Sequence, residues 1–411
     1  MPEEKQVDFK ILDVGCSARP KGDVNIGFLR GGLNPQTGAR IQGEFMSPQK
    51  TSNFLLADPA HLPFKDESFN VVFSSHAIEH IQNPFLMLHE MCRVAKRKVI
   101  VRCPHRKGSA AKMPNHLSYF DEEWFKKASD VLGFRSNQFI TAYDYPISSK
   151  LEKVCPNRLQ GAFPWKALKR FEKARLMKKI PIPYEIEAWV RKRYRPAKTG
   201  DVKFVVVYNI PRIFKSCFAS SFYVSFENVT AYHNANNESL PKFYNKTIQE
   251  HLQENVWFIF CHQDFILKED LRLRLKGKDV EAIYGPIGIS LARNKLFGMI
   301  IQTDGTPIGD QLEEDIPVQT LDEMCLIANS EVFRQGLSFD ERFQFHFYGA
   351  DLCMQAYTLG FDVLSMQLKC QHKSRTLIGD VASSEYKASL ELFRAKWKQF
   401  LPVGTTTKVI T

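Results

Sequence analysis

Short apolar runs and helix-spaced stretches alternate through the first hundred residues. Residues 9–14 (FKILDV) are β-rich and close on Gly15, the start of a strand-to-helix unit. Residues 69–74 (FNVVFS) and 99–103 (VIVRC) form two further runs, the last stopped by Pro104. Between them Phe85, Leu88, Met91 and Cys92 recur at helical spacing behind Pro84, a tolerated first-turn residue. Asp121-Glu122-Glu123 sits favourably at a second helix start, and residues 186–190 supply a last strand. Strands alternating with helices predict a parallel sheet with crossovers. A fresh strand begins at 202–208 (VKFVVVY) and is followed by 229–232, a helix over 240–253 and a strand over 256–260. That restart, behind a Pro196–Gly200 stretch of linker composition, predicts a second α/β domain.

Length agrees with this reading. A chain of 411 residues exceeds the roughly 250–300 at which single cores stop growing. The expected domains are 1–198 and 199–411, with a basic helical segment over 150–198 ending the first. Sixteen Lys and Arg against five acids between 150 and 203 account for the whole net charge of +11, so the rest of the chain is neutral. Interleaved with Trp165, Phe171 and Trp189, that segment is either a solvated face with a linker or a surface for anionic lipid, nucleic acid or acidic polysaccharide. No apolar leader and no membrane-length run is visible, and nine scattered cysteines contain no CxxC pair. A cytoplasmic protein with reduced thiols is expected, and Asn228, Asn237 and Asn245 in N-x-S/T triplets are coincidental.

Specific motifs sharpen the front half. Asp13-Val14-Gly15-Cys16-Ser17 ends the first strand; Asp58-Pro59-Ala60-His61-Leu62-Pro63-Phe64, then Phe69-Asn70-Val71-Val72, then His76-Ala77-Ile78-Glu79-His80 follow. Over about residues 9–104 this set resembles class I methyltransferases carrying D-x-x-x-L-P-F, S-F-D-V-V and H-x-I-E-H. The resemblance implies a Rossmann-like sheet and S-adenosylmethionine, with Asp13 and Gly15 facing the methionine moiety, Asp58 the adenine amine, and Ser74 to His76 the sulfonium side. The acid that usually takes the ribose hydroxyls falls at Gly27 here, which leaves Glu44 as a substitute. Locally, Asp58 is also a cap beside Pro59, and Glu79-His80 a polar helix start; His76, His80 and His116 are comparable candidates for a base.

The rear half resembles family 2 glycosyltransferases of the GT-A fold over 202–375. The matching stretches are Tyr208-Asn209, Asn236-Asn237-Glu238, Tyr244-Asn245, His262-Gln263-Asp264, Gly285-Pro286-Ile287-Gly288, Asp322-Glu323, Gly349-Ala350-Asp351-Leu352-Cys353 and Gln371-His372-Lys373. The resemblance implies that Asp264 ligates Mg²⁺ or Mn²⁺ with His262 and His372 nearby, neutralising the departing nucleoside diphosphate. It places Asp351 as general base, Asp322 on the acceptor side, and Asn209, Asn236 and Asn245 along the nucleotide pocket. Asp351 reads locally as a capped helix start, and Gln263 and Ala350 stand where relatives carry further acids. The expected function is therefore bifunctional: sugar transfer from a nucleotide-sugar donor to a glycan or lipid-linked acceptor, plus methylation of a related acceptor, on or near an anionic membrane face. A glycosyltransferase with a non-catalytic front module, or an RNA methyltransferase, are the alternatives, and the second leaves the rear half without a purpose.

Overall fold

The computed structural model describes residues 11–16, 20–27, 53–113, 116–134, 136–144, 182–192, 195–291, 293–302, 304–373 and 383–411. Most of the expected basic segment over 150–198, its residues 150–181, and Glu44 lie outside them.

The first sheet contains β1 Ile11–Val14, β2 Val24–Gly27, β3 Phe54–Leu56, β4 Phe69–Ser75, β5 Ala95–Pro104, β6 Ser136–Asp144 and β7 Ile182–Arg191. Its order is β3-β2-β1-β4-β5-β7-β6, parallel from β3 to β5, with β7 antiparallel to both neighbours. This is the parallel, Rossmann-like order that the motifs implied for the front half. Helix α1, Pro84–Val94, is capped by Asn83, whose side chain accepts from Leu86 N at 3.0 Å. Helix α2, Glu122–Val131, is capped by Asp121, which accepts from Trp124 N at 2.9 Å. Such caps are worth about 1 kcal/mol each. Both helices bury their apolar sides against Leu12, Val14, Val72, Val99 and Ala188 on one face of the sheet.

The other face is covered differently. Residues 15–23 join the parallel neighbours β1 and β2, a span shorter than the dozen or so that a helical crossover needs. The face carrying Ile11, Val71, Phe73, Ile100 and Trp189 packs instead into one apolar cluster with Tyr348, Leu352 and Phe400 of the rear half. Helix α4 (Tyr348–Leu359, named in order after α3, Leu240–Glu250) lies on it, with Tyr357 meeting Trp189 edge-on at 6.4 Å between centroids. Charges are buried in the same seam. Lys98 pairs with Asp362, and Arg191 bridges Asp362 and Asp279, the latter at 2.7 Å.

In the rear half β8 Val202–Tyr208, β9 Val229–His233, β10 Trp257–His262, β12 Ala282–Gly285, β16 Ile316–Pro317, β18 Cys325–Asn329 and β19 Asp362–Ser365 form a sheet ordered β16-β19-β12-β18-β10-β8-β9. Strands β8, β9 and β10 are parallel and β18 runs against β10 and β12. A further sheet runs β11-β20-β14-β13-β17, with β15 on β14: β11 Phe265–Leu267, β13 Ile287–Ser290, β14 Lys295–Gln302, β15 Pro307–Asp310, β17 Thr320–Leu321 and β20 Cys370–His372. Helix α5, Ser384–Lys396, follows β20 in the chain. The strands expected at 202–208, 229–232 and 256–260 and the helix expected at 240–253 are all present, within a few residues. The stretch read as a linker is not loose. Ala197 N donates to Lys278 O at 2.7 Å, Gly277 N to Ala197 O at 3.0 Å, and a Cβ on Gly200 would come within 2.2 Å of the Arg272 carbonyl oxygen.

Candidate functional site

Open α/β sheets bind ligands beyond the carboxyl ends of the strands where the order reverses. The first sheet reverses between β1 and β4, so Gly15 and the Ser74–His76 segment flank its crevice. Gly15 adopts φ +82°, open to glycine at no steric cost. Its amide and that of Cys16 both donate to Ile26 O, at 2.8 and 3.0 Å, so neither is offered to a ligand as the motif led us to expect. Asp13 is buried and accepts from Lys21 N at 2.9 Å, while the Lys21 ammonium lies 4.8 Å from the Phe73 ring centroid. Burial raises the Asp13 carboxyl to about 6, and the Lys21 amide and charge oppose this only in part.

Asp13→Asn provides a pH test of that burial. The folded carboxyl titrates near 6 and the unfolded one near 3.8, so stability is lost as pH rises through that window. About two pKa units correspond to roughly 3 kcal/mol at most. Asn keeps an acceptor for Lys21 N without the charge. Urea midpoints of variant and wild type should coincide near pH 4 and favour the variant above pH 6.5; a pH-independent difference would contradict the assignment.

At the end of β4, Ser74 is fully buried and its Oγ has no hydrogen-bond partner. His76 holds φ +52° and bonds Glu185 through Nε2 at 3.0 Å, with Nδ1 3.5 Å from Glu79 Oε1. Its bond to Glu185 and the Glu79 carboxylate nearby raise its pKa to about 9, so at neutral pH it is a cation that donates and takes no proton. Asp58 closes its own turn, accepting from Ala60 N and meeting His61 Nδ1, each at 2.9 Å, and stays largely exposed. The His61 bond holds its carboxyl below the ordinary range. At Gly27 a Cβ would fall 2.6 Å from the Phe54 ring, so the ribose-binding acid has no room unless that ring moves. For S-adenosylmethionine, Ser74 Oγ, buried and unpaired, is the group that fits on the expected sulfonium side; the His76 cation there opposes a positive sulfonium, and the ribose side lacks its usual acceptor.

The rear sheet reverses at β8, between β9 and β10. Asn209 follows β8 and Gln263 follows β10; the Gln263 amide donates to Asn209 Oδ1 at 2.8 Å and its oxygen accepts from Ile210 N at 3.0 Å. Strand β20 pairs with β11 in register Phe265↔His372, which carries His372 to Asp264: Nε2 and Oδ1 are 3.2 Å apart. His262 Nε2 shares a 2.9 Å hydrogen bond with the Tyr348 hydroxyl. The ligand atoms of His262, Asp264 and His372 all lie within 4.8 Å of one another. Burial pushes Asp264 up, but the His372 bond and charge more than offset it and leave the carboxyl below its usual value. Two imidazoles and one carboxylate suit a borderline ion such as Zn²⁺ better than Mg²⁺, which wants oxygen throughout, with Mn²⁺ between them.

The other expected residues divide. Asp322 reaches this cluster electrostatically, its charge acting on both His262 and His372, and its Oδ2 accepts from Thr406 at 2.6 Å. Asp351 does not reach it. It is 0% exposed, and its carboxylate is consumed by Trp397 Nε1 and Lys396 Nζ, both at 2.8 Å, and by Gln355 at 2.6 Å. A carboxylate so enclosed ties α4 to α5 and cannot meet an acceptor hydroxyl. Asn245 is likewise structural, its amide clamping Phe339 O and Phe339 N at 2.9 and 3.1 Å, and Asn236 stands exposed on the turn after β9. Sequence reasoning passed over Glu323, which burial raises to about 8 and which accepts from Gly349 N at 2.9 Å, and over Tyr348. The acid beside Asp322 was the only available signal.

The family model for the methyltransferase domain matches residues 33–103. Among solved structures, a SAM-dependent methyltransferase from Archaeoglobus fulgidus is 17% identical, covering 44% of this chain and 86% of that one, with a TM-score of 0.29. A SAM-dependent methyltransferase from Thermotoga maritima, described as a possible histamine N-methyltransferase, is 15% identical over 45% of this chain and 82% of its own, also at 0.29. Among the described residues no helix is long and apolar enough to cross a membrane.

Proposed function

We propose that the chain is a bifunctional glycan-modifying enzyme, with methyl transfer at the front crevice and sugar transfer at the rear one. One observation carries this reading: each sheet gathers polar side chains beyond the strand ends where its order reverses, Ser74 and His76 in front, Asn209, Asp264 and Asp322 behind. S-adenosylmethionine, when bound, supplies an electrophilic methyl group; Ser74 and the His76 cation orient the acceptor side. In the rear crevice Asp264, with His262 and His372, would hold a divalent ion against a departing nucleoside diphosphate, and Asp322 takes the acceptor-side carboxylate role in place of Asp351. The donor is a nucleotide sugar and the acceptor a glycan or lipid-linked saccharide. Loss of the metal-holding carboxylate should cost several kcal/mol of charge stabilisation. Asp264→Asn is therefore expected to lower Mn²⁺-stimulated hydrolysis of the donor sugar by about a hundredfold or more; wild-type rates in that variant would sink the assignment.

The basic segment over 150–198 suits an anionic membrane surface, where each free Lys or Arg adds about 1 kcal/mol. Arg191, Lys192 and Arg195 are withdrawn from that role by bonds to Asp279, Ala95 O and Glu281. Nucleic acid as the partner is the less favoured use of the same charge.

A second reading makes the front module a non-catalytic partner of an active glycosyltransferase. The engaged Gly15 and Cys16 amides and the Phe54 ring over Gly27 favour it. Calorimetric titration with S-adenosylmethionine separates the two: saturable heat supports methyl transfer, and none supports the second reading.

A further inference from the structure

A second ligand set lies beside the front crevice, at residues the sequence offered only as a polar turn and candidate bases. The turn Ile78–His80 follows β4 and carries Glu79 and His80; Leu117 N donates to Glu79 O at 2.7 Å and so holds the adjoining His116 against that turn. One ligand atom from each of Glu79, His80 and His116 falls within 4.8 Å of the others, and the two imidazole rings meet edge-on at 4.9 Å between centroids.

What separates this cluster from the rear one is the unfilled bonding of Glu79 and His116. Glu79 is 1% exposed, yet neither carboxylate oxygen accepts a hydrogen bond. His116 Nδ1 is buried and also without a partner. In the rear cluster, by contrast, Asp264 and His372 bond each other and His262 bonds Tyr348. A buried carboxylate left without hydrogen bonds is costly, and native proteins satisfy such groups or place an ion there. Among the described residues the side chain facing the Glu79 carboxylate is His76, at 3.5 Å, and the shorter contact of that imidazole, 3.0 Å, goes to Glu185, which Arg102 also approaches at 3.8 Å.

We propose that Glu79, His80 and His116 form a binding site for a divalent transition-metal ion of borderline softness, Zn²⁺ or a close relative. Two imidazoles and one carboxylate are a donor set such ions accept, with the remaining positions open. The ion would sit beyond the end of β4, on the same side of the sheet end as Ser74 and His76. The proposal needs no bound S-adenosylmethionine and stands apart from either reading of the front module.

The test is titration of the full-length chain with Co²⁺, followed by its visible absorption, and with Zn²⁺ by calorimetry. The rear cluster is first disabled with Asp264→Asn/His372→Ala. That background should bind one equivalent, and adding Glu79→Gln or His116→Ala should weaken binding at least tenfold. His89→Ala, at a half-exposed imidazole on α1, should leave it unchanged. Thermal unfolding of each variant reports folding, and Glu79→Gln keeps the side-chain shape. No stoichiometric binding in the background, or equal affinity with and without Glu79 and His116, overturns the proposal.

Discussion

Asp362→Ala is expected to destabilise the whole chain by about 3–5 kcal/mol, the cost of breaking a buried ion pair from one side. Asp362 is fully buried between Lys98, 1% exposed, and Arg191, and removing it leaves two cations facing only Asp279. Lys98 has some compensation, since its ammonium also donates to Phe361 O at 3.0 Å and lies over the Trp189 ring. Desolvation already pushes its pKa below the usual lysine value, against the pull of Asp362, so in the variant neutral Lys98 becomes easier to reach. The urea midpoint measures the loss. A paired Lys98→Met/Asp362→Leu change should recover much of it, because a packed apolar pair avoids the desolvation of both charges. A single-variant loss below about 1 kcal/mol would show that water reaches the seam.

Separating the halves is expected to have the larger effect. Residues 1–198 alone would expose Ile11, Val71, Phe73, Ile100 and Trp189, which are buried against the rear half in the intact chain. At about 1.5–3 kcal/mol per buried side chain, these five forfeit on the order of 10 kcal/mol, comparable to the whole stability of an ordinary domain. The fragment should therefore bind an apolar dye and melt without a cooperative transition, whereas the intact chain unfolds in one. A sharp calorimetric transition from residues 1–198 alone would refute this.

The strands were legible because each buried run, such as 202–208, is apolar, short and bounded by polar or turn residues. Helices α1 and α2 were legible from Pro84 and Asp121 at their starts. What covers the free face of the first sheet was not, because α4 arrives from more than 150 residues away and its own sequence marks only a buried helix. Motif residues fared unevenly for the same reason. Local pattern places Asp264, but only the β11–β20 pairing brings His372 to it. Asp351 reads as an acid at a helix start, and its enclosure by Lys396 and Trp397 is a tertiary fact. Glu79 and His80 read as a polar turn until His116 is folded against them.

Helix α4 begins at Tyr348, bonded to His262 in the rear cluster, and ends past Tyr357, packed on Trp189 in the front sheet. Its twelve residues at 1.5 Å each make a rod of about 18 Å. One rod therefore joins the rear cluster to the packed face of the front sheet, so loosening the Tyr357–Trp189 contact would be felt at the helix that holds His262.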